Sequence, residues 1–250
     1  MRVAVFSDIH ANLPAFEAVL DDIEDVGIDE RWCLGDVVGY GASPDECVAL
    51  AAEHCEACLV GNHDLAALGR LDTSTFSSAA ATAVEWTTKN SSKKSLDFLG
   101  GLQPADTSRP AALYHASPRD PVWEYVLWPD QAADCLQVQE RRVSLIGHSH
   151  VALFFSSPAA DERGTTPPEA RGWQAGAGTR LEIDEGRWLI NPGSVGQPRD
   201  GDPRAAWLEL DTDAWEATYH RVTYDIEHAA AAIEAAGLPE HLARRLFVGR

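Results

Sequence analysis

The first hundred residues alternate short apolar runs with segments whose apolar positions recur at helical spacing. The predicted strands are residues 2–6 (RVAVF), 31–34 (RWCL) and 57–60 (ACLV). The predicted helices are residues 13–26, 44–56 and most of 65–98. Asn12 is a candidate N-cap of the first helix, and Pro44 opens the second, a position that proline favours. Strands that alternate with helices predict an α/β fold with a parallel or mixed sheet.

The second half of the chain contains more strand-like runs and fewer helices. The predicted elements are strands at residues 111–115, 143–146, 181–190, 205–210 and 215–223, and an alanine-rich helix at 225–236. Residues 157–178 are rich in Pro, Gly and Thr and lack periodicity, which indicates an exposed loop or hairpin excursion. We therefore expect the second half to form a second sheet that faces the first.

Length and composition favour a single domain over residues 1–250. The chain is 45% hydrophobic, which is enough to bury a substantial core. The first residues, MRVAVFSDIH, lack a basic leader followed by a long apolar stretch, so secretion is not expected. No apolar segment approaches the roughly 20 residues of a membrane-spanning helix. We predict a soluble, cytoplasmic protein without a membrane partner.

The charge of the chain narrows the classes of partner. It contains 39 acidic and 20 basic residues, for a net charge of −19, and only three of the basic residues are lysines. Such a surface disfavours nonspecific binding of nucleic acid. It is typical of proteins from salt-loving organisms, whose acidic surfaces stay hydrated in molar salt, although a merely soluble acidic protein has the same composition.

Polar residues that can bind metals follow the predicted strands. The blocks are Ser7-Asp8-Ile9-His10, Gly35-Asp36, Gly61-Asn62-His63-Asp64, His115 and Gly147-His148-Ser149-His150. Because the carboxyl ends of strands in open α/β sheets share one edge, where ligands bind, we expect these blocks to converge. On a strand, His148 and His150 would also point to the same face.

The converging side chains are carboxylates, imidazoles and an amide, without a thiolate or a lysine. Mixed oxygen and nitrogen donors suit manganese, iron, zinc, cobalt or nickel better than calcium. The candidate donors are too numerous for one tetrahedral site. Two ions roughly 3.5–4 Å apart that share one carboxylate fit them better.

Taken in order, these blocks resemble the calcineurin-like metallophosphoesterase superfamily. The segments NPGS (191–194) and QPRDGDPR (197–204) are also similar to its small bacterial and archaeal phosphodiesterase-type (YfcE-like) members, so the resemblance covers nearly the whole chain. It implies a four-layer αββα sandwich of two mixed sheets flanked by helices. One departure is Ala116 after His115, where related members often have glycine.

The resemblance also implies ligands and a mechanism. The implied ligands are Asp8, His10 and His150 for one metal, Asn62, His115 and His148 for the other, and Asp36 as the bridge. Two divalent ions are the expected cofactors, with manganese favoured and iron, zinc, nickel or cobalt as alternatives. In the family's usual mechanism, a hydroxide that bridges the metals attacks phosphorus in line.

His63 and Asp64 are the candidate catalytic residues. On an extended stretch, His63 would point away from the metal that Asn62 binds and toward the substrate. Asp64 could hydrogen-bond the ring of His63 and raise its pKa. His63 would then act as a general acid for the leaving group or as a cationic stabiliser of the transition state. The alternative is that His63 only orients Asn62.

Three other residues are weaker candidates for substrate contact. Trp123 and Tyr125 could stack on a nucleobase, although aromatic residues two positions apart are more often part of a strand core. Arg199 could contact a phosphate, and it could equally form a surface salt bridge. The NPGS segment could turn near the site or only shape a loop.

The predicted function is a metal-dependent phosphoesterase for a small-molecule phosphate ester, with phosphodiesters favoured. Because all phosphate esters present the same phosphoryl group, a phosphomonoesterase or a protein Ser/Thr phosphatase is the alternative. A non-catalytic interaction scaffold with the same fold is the alternative from another class. The sequence lacks the G-x-S-x-G elbow of serine hydrolases and the lysine motif of P-loops. It predicts no oligomeric state.

The acidic composition predicts that the stability of the protein depends on salt. The midpoint of thermal unfolding should rise strongly between dilute buffer and molar KCl, because salt screens the mutual repulsion in a chain of net charge −19. Scanning calorimetry across a KCl series measures this change. A midpoint that stays flat over that range would contradict the halophilic interpretation.

Overall fold

The structure, a computed structural model, describes residues 1–158, 169–183 and 185–250. The strands are β1 (Arg2–Phe6), β2 (Glu30–Cys33), β3 (Ala57–Cys58), β4 (Ala105–Asp106), β5 (Ala112–Tyr114), β6 (Val143–Leu145), β7 (Leu153–Ser157), β8 (Arg171–Gln174), β9 (Arg180–Glu182), β10 (Arg187–Asn191), β11 (Ala205–Asp211) and β12 (Glu216–Val222). The helices are α1 (Leu13–Val26), α2 (Pro44–His54), α3 (Asn62–Ala67), α4 (Ser78–Asn90), α5 (Lys93–Gly100), α6 (Pro129–Val138), α7 (Ile226–Ala235) and α8 (Glu240–Arg244). No helix in these ranges is long and apolar enough to cross a membrane.

The strands form two mixed sheets of six strands each. The first sheet has the order β3-β2-β1-β11-β12-β9, in which β1, β2 and β3 are parallel. The second has the order β4-β5-β6-β10-β7-β8, in which β5, β6 and β10 are parallel. Helices cover the outer face of each sheet, which confirms the predicted four-layer αββα sandwich.

Alternation along the strands sorts apolar side chains between the central core and the helix layers. Val3 and Val5 of β1 pack in the cluster between the sheets, whereas Phe6 packs with residues of α1 and α2. In β10, Ile190 faces the other sheet and Leu189 packs in the cluster that contains α6. Both faces of these central strands are therefore buried, and the two sheets are held together at the middle of the sandwich.

The helix that follows β1 begins and ends as its sequence predicts. The side chain of Asn12 accepts a hydrogen bond from the backbone N–H of Ala15 at 3.3 Å, which caps the first turn. Gly27 terminates the helix with a left-handed φ of 75°. The cap therefore fixes where the chain leaves the loop after β1.

The structure corrects one prediction about the arrangement of the strands. The second half does not form a sheet of its own, because β9, β11 and β12 join the first sheet; β11 pairs antiparallel with β1, with Val3 opposite Leu210. Apolar alternation shows which face of a strand is buried but does not identify its partner. The stretch predicted as mostly helical from 65 to 98 contains α4 and parts of α3 and α5, in agreement with the prediction, whereas α6 was not predicted.

The predicted excursion at residues 157–178 is described only in part. Residues 159–168 lie outside the described residues. Residues beyond them form β8, which pairs antiparallel with β7, with Phe154 opposite Trp173. The end of this segment is therefore the edge strand of the second sheet.

Candidate metal centre

Loops that follow the parallel strands of both sheets meet at one edge of the sandwich. They carry Asp8 and His10 after β1, Asp36 after β2, Asn62 after β3, His115 after β5, and His148 and His150 after β6. The two sheets are joined there directly, because the backbone N–H of His148 donates to Asp8 Oδ2 at 3.0 Å. The structure thus brings all seven predicted ligands together, and every one of them is buried.

The donor atoms fall into two groups that share one carboxylate. Asp8, His10, Asp36 and His150 each place a donor atom within 4.8 Å of the others, and so do Asp36, His115 and His148. Asp36 Oδ2 lies 3.6 Å from His10 Nε2 and 3.6 Å from His115 Nε2. Asn62 Oδ1 lies 3.1 Å from His115 Nε2 and adds an amide oxygen to the second group.

Each carboxylate has one oxygen fixed by the backbone and one without a partner. Asp8 Oδ2 accepts from the N–H of His148 at 3.0 Å, and Asp36 Oδ1 accepts from the N–H of His63 at 2.8 Å. Asp8 Oδ1 and Asp36 Oδ2 are buried and have no hydrogen-bond partner within the described ranges. Because an unsatisfied buried carboxylate oxygen is costly, a cation would complete both groups.

Backbone carbonyls orient the imidazole rings. His10, His115 and His150 each direct Nδ1 at a carbonyl oxygen, at 3.1, 2.9 and 2.7 Å. His148 has the opposite orientation, with Nε2 directed at the carbonyl oxygen of Trp123 at 3.2 Å. When these nitrogens donate their protons to the carbonyls, Nε2 of the first three rings and Nδ1 of His148 keep the lone pair that a metal takes.

Two short contacts test whether these donors fit a metal. His10 Nε2 and His150 Nε2 are 3.0 Å apart, and His115 Nε2 and Asn62 Oδ1 are 3.1 Å apart. With the other ring nitrogens committed to carbonyls, each contact brings two lone pairs face to face. Such pairs repel each other unless a cation attracts both, so the donors fit a cation in each group.

Burial also sets the protonation of the centre. It raises the pKa of Asp8 to about 7 and raises the pKa of Asp36 well above its usual value. It lowers the pKa of His10, His148 and His150 well below the usual value. These three shifts favour the neutral imidazoles, which is the form that binds a metal, and a bound cation would favour the ionised carboxylates.

The ligand loops adopt a backbone conformation that residues with side chains rarely take. The φ angles are 56° at Asp8, 50° at His10, 52° at Asp36, 63° at His148 and 59° at His150. Left-handed backbone of this kind concentrates at functional sites, where the surrounding structure holds it. The prediction that His148 and His150 share one face of a strand is wrong, because β6 ends before them, and their donors lie in different groups.

Glycine is required where two of these loops touch. A Cβ atom on Gly61 would lie 2.0 Å from Asp36 Oδ1, and one on Gly147 would lie 2.0 Å from Ser7 Oγ. Neither position leaves room for a side chain. The glycines of the GNHD and GHSH blocks therefore let the loops approach closely enough for their neighbours to share one centre.

His63 lies beside the donor groups in a local structure that differs from the predicted one. It belongs to the first turn of α3 instead of an extended stretch. Its ring contacts the rings of His10 at 4.9 Å and Tyr40 at 4.3 Å. Its Nδ1 is buried without a hydrogen-bond partner in the described part of the chain, and burial lowers the pKa of the ring well below its usual value.

Asp64 does not hold the ring of His63 as predicted. Its Oδ1 accepts from the N–H of Val38 at 2.9 Å, and its Oδ2 accepts from the N–H of Gly61 at 2.9 Å. Asp64 therefore ties the loop after β2 to the start of α3. The structure makes it a residue that positions the neighbouring loops, and the predicted increase in the pKa of His63 has no source in this contact.

Arg199 lies over the centre. Its guanidinium donates to the hydroxyls of Tyr40 at 3.4 Å and Tyr125 at 3.5 Å, and to Gln197 Oε1 at 3.0 Å. Its backbone N–H donates to the carbonyl of His150 at 3.0 Å. Within the described ranges, Arg199 donates hydrogen bonds to neutral groups and forms no salt bridge. The alternative role of Arg199 in a surface salt bridge is therefore wrong.

Aromatic residues surround the same place. Trp123 and Tyr125 lie in the loop between β5 and α6 and not in a strand, and the ring of Tyr125 stacks on His148 with centroids 4.1 Å apart. Tyr40 and Phe76 were not predicted, and their rings contact that of His63 at 4.3 and 4.9 Å. The position of Tyr40 close after Asp36, in GDVVGY, was the available signal; nothing near Phe76 in the sequence marks it.

The NPGS segment supports both ligand loops from behind. Asn191 donates to the carbonyl of Gly147 at 2.7 Å, next to His148. Ser194 donates through Oγ to the carbonyl of Asp8 at 2.8 Å. The NPGS segment therefore turns near the site, as one of the two predicted roles had it. Its side chains bind the backbone of the ligand loops and do not belong to the donor groups.

A buried ion pair fixes the loop that carries Arg199. Asp200 and Arg221 pair with side chains that are 1% and 2% exposed. Asp200 Oδ2 also accepts from the N–H of Ala152 at 3.1 Å, at the entry to β7, whereas Arg221 belongs to β12 of the other sheet. The pair therefore joins the two sheets directly behind His150.

The chain is similar to known proteins along nearly its whole length. Residues 1–213 match the sequence model of the calcineurin-like phosphoesterase superfamily domain. The uncharacterised protein MJ0912 of Methanocaldococcus jannaschii is 39% identical over 254 residues, which cover 99% of this chain and 98% of that protein. A metallophosphoesterase from Sphaerobacter thermophilus is 38% identical with a TM-score of 0.86, covering 100% and 99% of the two chains. The hypothetical protein PH1004 of Pyrococcus horikoshii shares the fold at 18% identity, with a TM-score of 0.77 over 100% and 98%.

Proposed function

The chain belongs to the calcineurin-like phosphoesterase superfamily, and from that membership we propose that it is a metal-dependent phosphoesterase for small-molecule phosphate esters. The observation that carries the proposal is the shared carboxylate, with Asp36 Oδ2 at 3.6 Å from both His10 Nε2 and His115 Nε2. One oxygen between two donor groups supports a centre of two divalent ions, with manganese favoured.

The proposed ligands are those that the donor geometry groups together. They are Asp8, His10 and His150 on one side, Asn62, His115 and His148 on the other, and Asp36 between them. Two such ions, when bound, lower the pKa of a water molecule and neutralise charge on the phosphoryl oxygens. The remaining tasks, which are to bind the ester, orient it and supply a proton to the leaving group, fall to side chains of this chain.

Arg199 is the proposed ligand of the phosphate. The two tyrosine hydroxyls hold its guanidinium over the centre, and its buried Nε has no partner within the described ranges. A planar guanidinium presents paired N–H donors that match two phosphate oxygens. Arg199 would therefore orient the ester while the centre binds the remaining oxygens.

His63 is the proposed source of the proton for the leaving group. Donation of that proton requires the imidazolium form of His63, whose ring lies 4.9 Å from that of His10. Burial lowers the pKa of the ring, whereas the negative charge of a phosphate ester bound beside it would favour the imidazolium. The imidazolium would give one proton to the leaving-group oxygen and return to the neutral ring. In the competing role, His63 only orients Asn62. The two roles differ in the effect of replacing His63, because only loss of the orienting role would weaken metal binding.

The preference for phosphodiesters rests on the sequence resemblance, and a phosphomonoesterase or a protein Ser/Thr phosphatase would use the same centre. A non-catalytic scaffold of the same fold is disfavoured because the donor set and His63 are all present around one point. The cytoplasmic location and the lack of nonspecific nucleic-acid binding stay predictions of the sequence.

The proposal predicts metal-dependent turnover. With added manganese the protein should hydrolyse bis(p-nitrophenyl) phosphate, with a higher kcat/KM than for p-nitrophenyl phosphate. Release of p-nitrophenolate measures both reactions, and protein stripped with a chelator and then reloaded is the control. No turnover of either ester with metal bound would favour the scaffold, and a preference for the monoester would favour the phosphomonoesterase.

Removal of the shared carboxylate should empty both sides of the centre. Asp36→Ala deletes a ligand from each ion and removes the negative charge that shields the two cations from each other, so neither metal should bind tightly. Asn62→Ala and His148→Ala should weaken only the side that contains His115. Elemental analysis of folded, desalted protein measures the metal content of each variant.

The control for these variants is Asp25→Ala, which removes an exposed carboxylate on α1 and should retain both metals. Two metals per chain in Asp36→Ala would contradict the shared role of that carboxylate. Loss of both metals from Asn62→Ala would contradict the division into two sides.

The role of His63 predicts an effect that depends on the leaving group. His63→Gln should keep both metals and near-normal KM, while kcat falls by roughly 10² or more for alkyl esters, the contribution typical of general acid catalysis. The fall should be smaller for p-nitrophenyl esters, whose leaving group needs no proton. Steady-state kinetics with matched alkyl and p-nitrophenyl diesters measure the difference.

His228→Gln, an exposed substitution on α7, is the matched control and should change neither rate. An equal fall in kcat for both leaving groups would reduce His63 to an electrostatic role. Loss of metal from His63→Gln would instead support the role in which it orients Asn62.

A further inference from the structure

Five side chains that are not metal-ligand candidates surround the centre in a ring, which we call the collar. They are Tyr40, Phe76, Trp123, Tyr125 and Arg199. They come from the loop after β2, the segment before α4, the loop between β5 and α6, and the loop after β10. Apart from Trp123 and Tyr125, which are two residues apart, these positions are distant in the sequence, and the fold brings them together.

One half of the collar closes through His63. The ring of Tyr40 lies 4.3 Å from the ring of His63, which lies 4.9 Å from the ring of Phe76. Phe76 meets Trp123 edge to face, with centroids 5.2 Å apart and an interplanar angle of 81°. These contacts make a continuous aromatic wall from the loop after β2 to the loop after β5.

The other half closes through His148 and Arg199. The ring of Trp123 lies 6.5 Å from that of His148, on which Tyr125 stacks at 4.1 Å. Arg199 then joins the hydroxyl of Tyr125 at 3.5 Å to that of Tyr40 at 3.4 Å. The aromatic rings and the guanidinium therefore form one connected set of side chains around the centre.

The packing of the core does not account for the outer part of the collar. Within the described ranges Trp123 and Tyr125 belong to none of the hydrophobic core clusters, and Tyr125 is 42% exposed. Tyr40 and Phe76 do pack against the cluster of α7 and α8. Exposed aromatic rings beside a polar site are typical of ligand recognition, because a ring face offers contact area at low entropic cost.

The charge of the collar is opposite to that of the protein. None of its five members is acidic, although the chain contains 39 acidic residues. Its single charge is that of Arg199, which pairs with no carboxylate in the described part of the chain and whose buried Nε has no partner. The collar therefore suits an anion that is attached to a planar apolar group.

We propose that the collar is a nucleotide subsite, in which the base of a nucleoside phosphate ester stacks on Trp123 and Tyr125 while Arg199 binds the phosphate. This inference rests on the proposed function, since the metal centre is what holds the scissile phosphoryl group. Bases stack on aromatic side chains without regard to their identity, so the subsite recognises a nucleoside as a class. Sugar phosphates without a base would lose the stacking contact and keep the phosphate contact.

The test compares two ligands that differ only in the base. The probes are the non-hydrolysable 5′-phosphonate analogues of adenosine monophosphate and of ribose 5-phosphate, titrated by calorimetry into manganese-loaded protein. The adenosine analogue should bind roughly 5- to 150-fold more tightly, which is the range that stacking on one base supports. Because no bond is cleaved, the measurement does not depend on turnover.

Four variants separate stacking from charge. Trp123→Leu and Tyr125→Leu should each lower the ratio of the two affinities toward one, whereas Tyr125→Phe keeps the ring and should keep the ratio. Arg199→Gln should weaken both ligands by a similar factor and leave the ratio unchanged. The matched control is Trp173→Leu, since Trp173 is 51% exposed and stacks on Phe154, which is not a member of the collar.

A ratio near one in the unaltered protein overturns the inference whatever the variants do. A high ratio that survives in both leucine variants of the collar overturns it as well, because the base would then bind elsewhere. Hydrolysis of bis(p-nitrophenyl) phosphate together with a ratio near one would leave the proposed function standing without the subsite. A high ratio in a protein that hydrolyses no ester would leave the subsite standing without that function.

Discussion

Asp8 Oδ1 and Asp36 Oδ2 are buried without a hydrogen-bond partner in the described ranges, and His10 Nε2 lies 4.0 and 3.6 Å from these two atoms. Without other contacts, these atoms would oppose folding, because buried carboxylates lose hydration and neighbouring lone pairs repel one another. The other atoms of these groups explain why the arrangement persists. Backbone N–H groups hold the second oxygen of each carboxylate, and backbone carbonyls hold the second nitrogen of each ring. The donors are therefore oriented before any cation arrives, and most of the ordering cost belongs to folding and not to binding.

The backbone around these donors carries a second cost. Left-handed φ angles at five ligand positions, at roughly 1–3 kcal/mol each, are a large fraction of the about 5–15 kcal/mol that stabilises a typical domain. Two devices hold the loops in place. The NPGS segment binds the carbonyls of Gly147 and Asp8, and the Asp200–Arg221 pair joins β12 to the entry of β7. Both connect the first sheet to the second, so the relative position of the sheets fixes the geometry of the centre.

This dependence on both sheets explains how far the sequence alone could predict the structure. The apolar periodicity of β1 and α1 is local, and their predicted bounds agree with the structure. The pairing of β11 with β1 is not local, since alternation marks a buried face without identifying its partner strand.

The residues of the centre could be predicted as a converging set because each follows a strand. Their backbone conformation could not be predicted, since no residue type among them demands a positive φ. The prediction that Asp64 contacts the ring of His63 was wrong because it assumed an extended stretch where α3 begins. The turn into α3 directs that carboxylate to the N–H groups of Val38 and Gly61.

The distribution of charge explains how a protein with an acidic surface can bind an anionic ester at the candidate site. A net charge of −19 repels an anionic ester at long range, but this repulsion acts over only about 10 Å in 0.1 M salt and over about 3 Å in 1 M salt. Close to the centre, the guanidinium of Arg199 is a positive charge that forms no salt bridge within the described residues. Burial, together with the nearby charge of Arg199, lowers the pKa of Arg245. Bound cations would add to this local positive region. The salt that relieves repulsion within the acidic surface would therefore also weaken the long-range repulsion of an anionic substrate. The contacts of Arg199 inside the collar are partly buried, so salt would screen them much less. An acidic exterior and an anion-binding centre are for that reason compatible in one chain, provided that the positive charge is confined to the edge where the two sheets meet.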